Sequence, residues 1–340
     1  MDLYIDKENL KSFLNLRNRE EFDDCRRMLQ RQLHIVYNMD KSEFKEDPAL
    51  FEVWLRELGD GRGKSEETDI FLTNKFPIRP IKSNSYNDWT RRGLMSTYLI
   101  DDPDVSKLKN KSCVLLGDVG EELDILTKLF CGLDYEYHHL YDLRKNFLSW
   151  EQLTKGNQLL PCTDIIISDR YFFNYQQEIV EYNLDRMLKA LANNVKNRIN
   201  VVVYTFYVQK NNKGIITGGL VSFGKEKATT IIKNTLERVT GIKPNVTFVC
   251  NNDKEMILHD RFVITNYRLL RSGDSFNYFD TSGKRITNGC SLDVDSLANH
   301  DTYVFIESLL EELQSSYDKI KKADESMIIG DRKSKFIKMS

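Results

Sequence analysis

The chain has 340 residues and a formal net charge of −2 at pH 7, from 49 Lys and Arg against 51 Asp and Glu. This balance excludes a protein that coats nucleic acid through a generally basic surface, because such binding requires an excess of positive charge. Apolar residues make up 41% and charged residues 29%, which is typical of a globular chain large enough to form two domains.

No sequence run approaches the roughly 20 apolar residues that a membrane-spanning helix requires. The charged N-terminal sequence, MDLYIDKENLKSF, lacks the apolar core of a signal peptide, so we expect a cytoplasmic protein. The six cysteines are scattered without a Cys-x-x-Cys pair and are predicted to be mostly buried thiols. Neither a structural zinc site nor any other cofactor is expected.

The first third of the chain is predicted to be a helical N-terminal region with an irregular linker, over residues 1–110. Apolar residues recur at spacings of three and four through residues 1–60, which is the period of an amphipathic helix. Residues 61–112 are rich in turn-forming sequences such as SEETD and IDDPD.

From residue 112 the pattern changes to alternating strands and helices. Short apolar runs predict strands at SCVLLGD, LDYEYHHLYDL, CTDIIISD, INVVVYTFYV, NVTFVCN and RFVITN. Amphipathic periodicity predicts helices at YQQEIVEYNLDRMLKALANNV, KEKATTIIKNTLERVTG and TYVFIESLLEELQSSYDKIKK. This alternation predicts an α/β domain over 111–320, with a mixed, largely parallel sheet flanked by helices. Residues 321–340 are predicted to form a basic tail, and its last residues, DRKSKFIKMS, are expected to be frayed.

The sharpest local feature is the sequence EMILHDRFVITNYRLLRSGDSFNYF at 255–279. His259, Arg261 and Asn266 follow the pattern H-x-R-x4-N, and a Gly-Ser element that includes Ser275 comes next. In an extended segment, positions 259 and 261 share one face because strand side chains alternate. An imidazole and a guanidinium on one face suit a phosphate group, since Arg can fork onto its oxygens and His can act as nucleophile or proton donor.

This pattern resembles the phospholipase D superfamily, whose motif is H-x-K-x4-D followed by a Gly-Ser element. The resemblance covers roughly residues 163–310, where the order of strands and helices also matches one phospholipase D-like half. Arg261 stands where the family has lysine, and Asn266 where it usually has aspartate, although the tyrosyl-DNA phosphodiesterase branch also uses asparagine. The H-D-R form is also similar to the phospholipase D-like domain at the C-terminus of certain MIT-domain proteins, which is a binding module.

The resemblance implies a phosphodiesterase, such as a metal-independent nuclease with a role in microbial defence. His259 would attack phosphorus to form a phosphohistidine, while Arg261, Asn266 and Ser275 would hold the phosphoryl oxygens. A second histidine would protonate the leaving group, and one motif per chain implies that a homodimer supplies it. The alternative is a catalytically inactive phospholipase D-like module that binds a phosphorylated ligand, nucleic acid or a partner protein. Arg261 in place of lysine, and the absence of a second motif, favour this alternative.

Two aspartates suggest a further alternative. Asp164 and Asp169 flank the predicted strand IIIS, and a metal-dependent nuclease could use such carboxylates. An ion pair between Asp169 and Arg170 at the end of that strand is the favoured interpretation. The sequence between Gly117 and Glu121 is predicted to be a tight turn before a helix, because acidic residues at a helix start repel an anion.

Overall fold

The computed structural model of the protein describes residues 2–5, 34–37, 46–48, 72–73, 96–99, 115–117, 138–154, 162–192, 195, 198–210, 213–252, 259–289, 291–297 and 299–339. The chain divides into two compact units. The first comprises Met1–Tyr135 with Leu297–Tyr303, and the second comprises Glu136–Ser296 with Val304–Ser340. The second unit therefore begins 25 residues later than the expected domain start at residue 111.

A parallel sheet of five strands forms the described part of the first unit. Its strands are β1 (Asp2–Ile5), β2 (His34–Tyr37), β3 (Leu72–Thr73), β4 (Ser96–Leu99) and β5 (Leu115–Gly117), and their order across the sheet is β3-β2-β1-β4-β5. The prediction of helix throughout residues 1–60 is wrong at β1 and β2. A run of four residues is too short to distinguish the period of a helix from that of a strand. Strand β5 pairs with β4, so residues 115–117 belong to the sheet of the first unit. The helical stripes predicted between β1 and β2 lie outside the described residues.

The second unit contains an eight-stranded mixed sheet and a small hairpin. The strands in chain order are β6 (His138–Asp142), β7 (Asp164–Ser168), β8 (Asn200–Phe206), β9 (Gln209–Lys210), β10 (Ile216–Gly218), β11 (Asn245–Asn251), β12 (Arg261–Ile264), β13 (Arg268–Ser272), β14 (Ser291–Ser296) and β15 (Ile328–Gly330). The helices are α1 (Gln177–Ala192), α2 (Leu220–Phe223), α3 (Lys225–Thr240) and α4 (His300–Ala323), with 3-10 turns at Trp150–Thr154, Phe172–Asn174 and Glu325–Met327.

The order of strands in the large sheet is β15-β11-β8-β7-β12-β13-β14-β6. Strand β8 pairs in parallel with β7 and β11, and the other neighbouring pairs are antiparallel. The hairpin of β9 and β10 stands apart from this sheet. The α/β class with a mixed sheet flanked by helices is confirmed, with antiparallel pairs more numerous in this sheet than the alternating pattern predicted.

The centre of the large sheet is apolar because β7 and β8 are covered on both faces. Ile165–Ile167 and Val201–Val203 are buried on successive residues, the pattern expected of a strand with no solvent-facing side. Helix α1 buries Val180, Leu184, Met187 and Leu191, which recur at the spacing of one helical face. Asp185 of α1 accepts a hydrogen bond of 2.7 Å from Thr235 Oγ1, which joins α1 to α3.

The C-terminal residues belong to the fold, so the prediction of a frayed tail is wrong. Strand β15 pairs antiparallel with β11, and Asp331 accepts a hydrogen bond of 2.8 Å from the Val246 amide. Ile337 is buried, and the Lys335 amide donates to a carboxylate oxygen of Asp164 at 2.6 Å. A basic composition does not by itself predict a frayed end, because backbone groups, the apolar side chain of Ile337 and the charged side chain of Asp331 all make contacts here.

Two of the six cysteines, Cys162 and Cys250, are described, and both are buried as predicted. Burial raises the pKa of the Cys250 thiol to about 12, so this sulfur stays protonated and behaves as a small apolar group. Within the ranges that the structure describes, no helix is both long enough and apolar enough to cross a membrane.

Candidate phosphate-binding site

The predicted His-x-Arg pair lies at one edge of the large sheet. Parallel strands β7 and β8 end there, and antiparallel β12 begins there, with Phe262 paired to Ser168. Arg261 is the first residue of β12, and His259 lies two residues before it. In open α/β sheets ligands bind outside the carboxyl ends of the parallel strands, so the pair stands where a ligand site is expected.

The guanidinium of Arg261 is held on three sides. Its Nη1 donates to the carbonyl oxygen of Gly273 at 2.8 Å, and its Nε lies 3.8 Å from Oδ1 of Asp169. The ring of Tyr171 lies beneath it, with 5.4 Å between Cζ and the ring centroid. The side chain is 16% exposed, and Nη2 makes no hydrogen bond with any described residue. Gly273, Asp169 and Tyr171 therefore fix the guanidinium, and Nη2 is its amino group without a partner in the described part of the chain.

Asp169, directly after β7, is the buried carboxylate of this site. Its Oδ2 accepts hydrogen bonds from Ser275 Oγ at 2.7 Å and from the Phe276 amide at 3.1 Å. Its Oδ1 accepts from the Tyr171 amide at 2.9 Å and faces Arg261. Burial raises the pKa of Asp169, while these hydrogen bonds and the positive charge of Arg261 oppose the rise. The carboxylate thus connects three chain segments that meet at this edge.

Ser275 supports Asp169 in this conformation. It is 2% exposed, its hydroxyl donates to Asp169, and the same oxygen accepts from Asn277 Nδ2 at 3.2 Å. Asn277 is also buried, and its Oδ1 has no hydrogen-bond partner among the described residues. Direct contact between Ser275 and a phosphate stays a prediction, and it would require this hydroxyl to leave its carboxylate partner.

A tyrosine adds an aromatic group beside the charges. Tyr175 is half-buried, and its pKa is raised by burial and then by the charges of Asp274 and Asp169, with Arg261 opposing the rise. Its phenol is therefore neutral over the physiological pH range and can donate a hydrogen bond. Tyr175 was not identified from the sequence, and neither was the Asp169–Arg261 pair.

Asn266 lies at the opposite end of β12 from Arg261. Its Oδ1 accepts hydrogen bonds from the amides of Thr163, at 2.7 Å, and Asp164, at 3.2 Å. Its Nδ2 donates to Thr163 Oγ1 at 2.9 Å. Asn266 thus contacts the start of β7, whereas Arg261 faces Asp169 just after the end of β7, and the five residues from Asp164 to Asp169 span about 16 Å at the rise of a strand. The structure therefore does not bring Asn266 together with His259 and Arg261, and its contacts stabilise the start of β7.

His259 is the most accessible residue of the motif. Its side chain is 73% exposed, and the neighbouring carboxylate is Asp260, 3.9 Å from Nδ1 and itself 94% exposed. Another pair of histidines, His138 and His139, lies in β6, three strands away from β12. At the spacing of neighbouring strands this is about 14 Å, so β6 does not place a second imidazole beside His259.

The two aspartates considered for a metal-dependent nuclease do not share a site. Asp164 and Asp169 stand at opposite ends of β7, and Asp164 accepts hydrogen bonds from Ser334 and Lys335. Over the described ranges, no group of three or more His, Cys, Asp or Glu residues is arranged to hold a metal ion. The turn predicted after Gly117 lies outside the described residues.

Comparisons with known proteins assign no family to the chain. No protein-family model matches it, and no curated protein matches it in sequence. Among solved structures, a match is the archaeal chromatin protein TrmBL2, whose structure is described as showing a novel mode of DNA binding. The match has 14% sequence identity and a TM-score of 0.27, and it covers 90% of this chain and 97% of that one. A TM-score this low assigns neither a shared fold nor a shared function.

Proposed function

We propose that this chain is a phospholipase D-like module that binds a phosphate group of its ligand through Arg261, without turning the ligand over. The observation that carries the proposal is the guanidinium of Arg261, which is fixed by Gly273 and Asp169 while Nη2 remains available. A guanidinium held in this way presents a charged donor to an oxyanion without first losing side-chain freedom.

The surroundings of His259 favour binding over catalysis. A nucleophilic histidine is normally oriented by a group that accepts from its other ring nitrogen. Among the described residues, the carboxylate nearest to Nδ1 of His259 is that of Asp260, at 3.9 Å, which is beyond hydrogen-bond distance. An imidazole that no described carboxylate orients at hydrogen-bond distance suits a second ligand contact better than a nucleophile.

The test is a binding titration of the full chain with inorganic phosphate, a phosphoserine peptide and a short single-stranded oligonucleotide. Arg261→Ala should weaken the bound phosphate compound by about 10- to 100-fold, the range for one charge-assisted hydrogen bond. Arg198→Ala is the matched control, because Arg198 is exposed and precedes β8 at the other edge of the sheet. Equal losses in the two variants, or no binding by the wild type, would contradict the proposal.

The second candidate is a phosphodiesterase, such as a metal-independent nuclease, in which two copies of the chain pair their motifs. The exposure of His259 favours it, because an attacking imidazole must reach phosphorus. The test is incubation with DNA, RNA and a chromogenic phosphodiester in the presence of EDTA. Turnover that disappears in His259→Ala would support this candidate, and turnover that persists in His259→Ala would rule it out.

A cytoplasmic setting is part of the proposal. Its support is the charged N-terminal sequence, which lacks the apolar core of a signal peptide.

A further inference from the structure

We propose that Asp169 is a positioning residue for ligand binding, which holds the guanidinium of Arg261 so that Nη2 faces the ligand. This inference rests on the proposed phosphate-binding function. Asp169 is fully buried at the end of β7, and one of its oxygens lies 3.8 Å from Nε of Arg261. It has no exposed atom with which to contact a ligand, so its effect must pass through Arg261.

The position of Asp169 is itself fixed by its neighbours. Ser275 Oγ and the amides of Phe276 and Tyr171 together supply three hydrogen bonds to its two oxygens. A carboxylate with its acceptor sites filled in this way cannot rotate to follow a mobile guanidinium. The arginine must therefore align with the carboxylate, and not the reverse.

Tyr171 and Gly273 complete the alignment from two other directions. The Tyr171 ring lies against the plane of the guanidinium, and the Gly273 carbonyl takes Nη1. Nε is buried and donates no hydrogen bond among the described residues, so Asp169 acts on it by charge at short range. With Nε facing Asp169 and Nη1 on Gly273, Nη2 is the nitrogen left for an oxyanion.

Substitution of Asp169 changes phosphate affinity in opposite directions under two explanations. If Asp169 only adds a negative charge near the site, Asp169→Asn removes repulsion and tightens phosphate binding. If Asp169 positions Arg261, the same substitution releases the guanidinium and weakens phosphate binding by about three- to tenfold. Asp260→Asn is the matched control, because it removes an equal charge from an exposed side chain next to Arg261 in sequence.

The independent readout is the rotation of the guanidinium about its Nε–Cζ bond, measured by nitrogen-15 NMR on the full chain with labelled arginine. Rotation in Arg261 should be slower than in the exposed Arg198 by about tenfold, because charge pairing and the Gly273 bond restrict it. In Asp169→Asn the rotation of Arg261 should become at least about threefold faster. Unchanged rotation, or tighter phosphate binding in this variant, would overturn the proposal.

The experiment separates the two proposals from each other. Slow rotation of Arg261 in a protein that binds no phosphate supports the positioning by Asp169 and overturns the proposed function alone. If Asp169→Asn does not fold, Ser275→Ala takes its place, because it removes one hydrogen bond to the carboxylate and keeps the charge. An unchanged rotation of Arg261 in Ser275→Ala, or wild-type rotation as fast as that of Arg198, then overturns the inference.

Discussion

The position of Asn266 leads to a prediction that separates a structural role from a catalytic one. Replacing Asn266 by alanine removes the oxygen that accepts from the amides of Thr163 and Asp164, both in a buried region. Each buried amide left without an acceptor destabilises the folded state by about 1–3 kcal/mol. Two such groups predict a loss of about 2–6 kcal/mol in the free energy of unfolding.

The measurement is urea unfolding of Asn266→Ala, with hydrogen exchange followed at the amides of Thr163 and Asp164. Both amides should exchange faster, while phosphate binding should stay unchanged, because Asn266 and Arg261 contact opposite ends of β7, which are about 16 Å apart. The matched control is Asn252→Ala, in which an exposed asparagine loses its hydrogen bond of 2.7 Å from the Val208 amide. A stable Asn266→Ala protein that has lost phosphate binding would refute this reasoning and restore Asn266 to the site.

Three further predictions concern the stability of the second unit. Burial raises the pKa of Asp164 from 3.8 to about 6, so its contribution to stability is present below pH 4 and lost as the pH rises through 6, a change of about 3 kcal/mol. Urea unfolding at pH 4 and pH 7 should show this loss in the wild type but not in Asp164→Asn. An equal change in the free energy of unfolding between the two pH values in both proteins would contradict the prediction. Ile337→Ala should lower the free energy of unfolding by about 2–5 kcal/mol, as for a buried isoleucine, whereas a frayed end would show no loss in the same assay. Gly330→Ala should lower the thermal midpoint, because the backbone has φ +113° and an added Cβ would lie 2.1 Å from the Val246 carbonyl oxygen. An unchanged thermal midpoint would contradict the stabilising role of the pairing between β15 and β11.

Much of the second unit could be predicted from the sequence, because its central strands are buried on both faces. The run IIIS at β7 and the run VVV at β8 can be satisfied only inside a covered sheet. Helices α1 and α3 could be predicted because each has one apolar face. The predicted segment of α3 closes with Gly241, and this glycine adopts the αL conformation that ends the helix. By contrast, β1 and β2 are only four residues long, too short for their period to be recognised.

The sequence predicts the candidate site from local spacing alone. The spacing of His259 and Arg261 predicts a shared strand face, but β12 begins at Arg261 and His259 lies before it. Asn266 lies beyond the end of β12, between β12 and β13, and the spacing of the motif does not show this. The Asp169–Arg261 pair could not be found in this way, because it depends on β7 pairing with a strand more than 90 residues later in the chain.

The pairing of β6 with β14 bears on how the protein folds as it is synthesised. The register joins Asp142 to Ser291, about 150 residues later in the chain. At typical rates of synthesis, β6 waits roughly 10 to 30 s for its partner strand to leave the ribosome. During that interval its backbone groups and the apolar side chain of Leu140, which remains 55% exposed even in the folded chain, are open to other chains. Slow translation or crowded expression should therefore favour aggregation of the nascent chain, and chaperones that bind extended apolar segments should raise the yield.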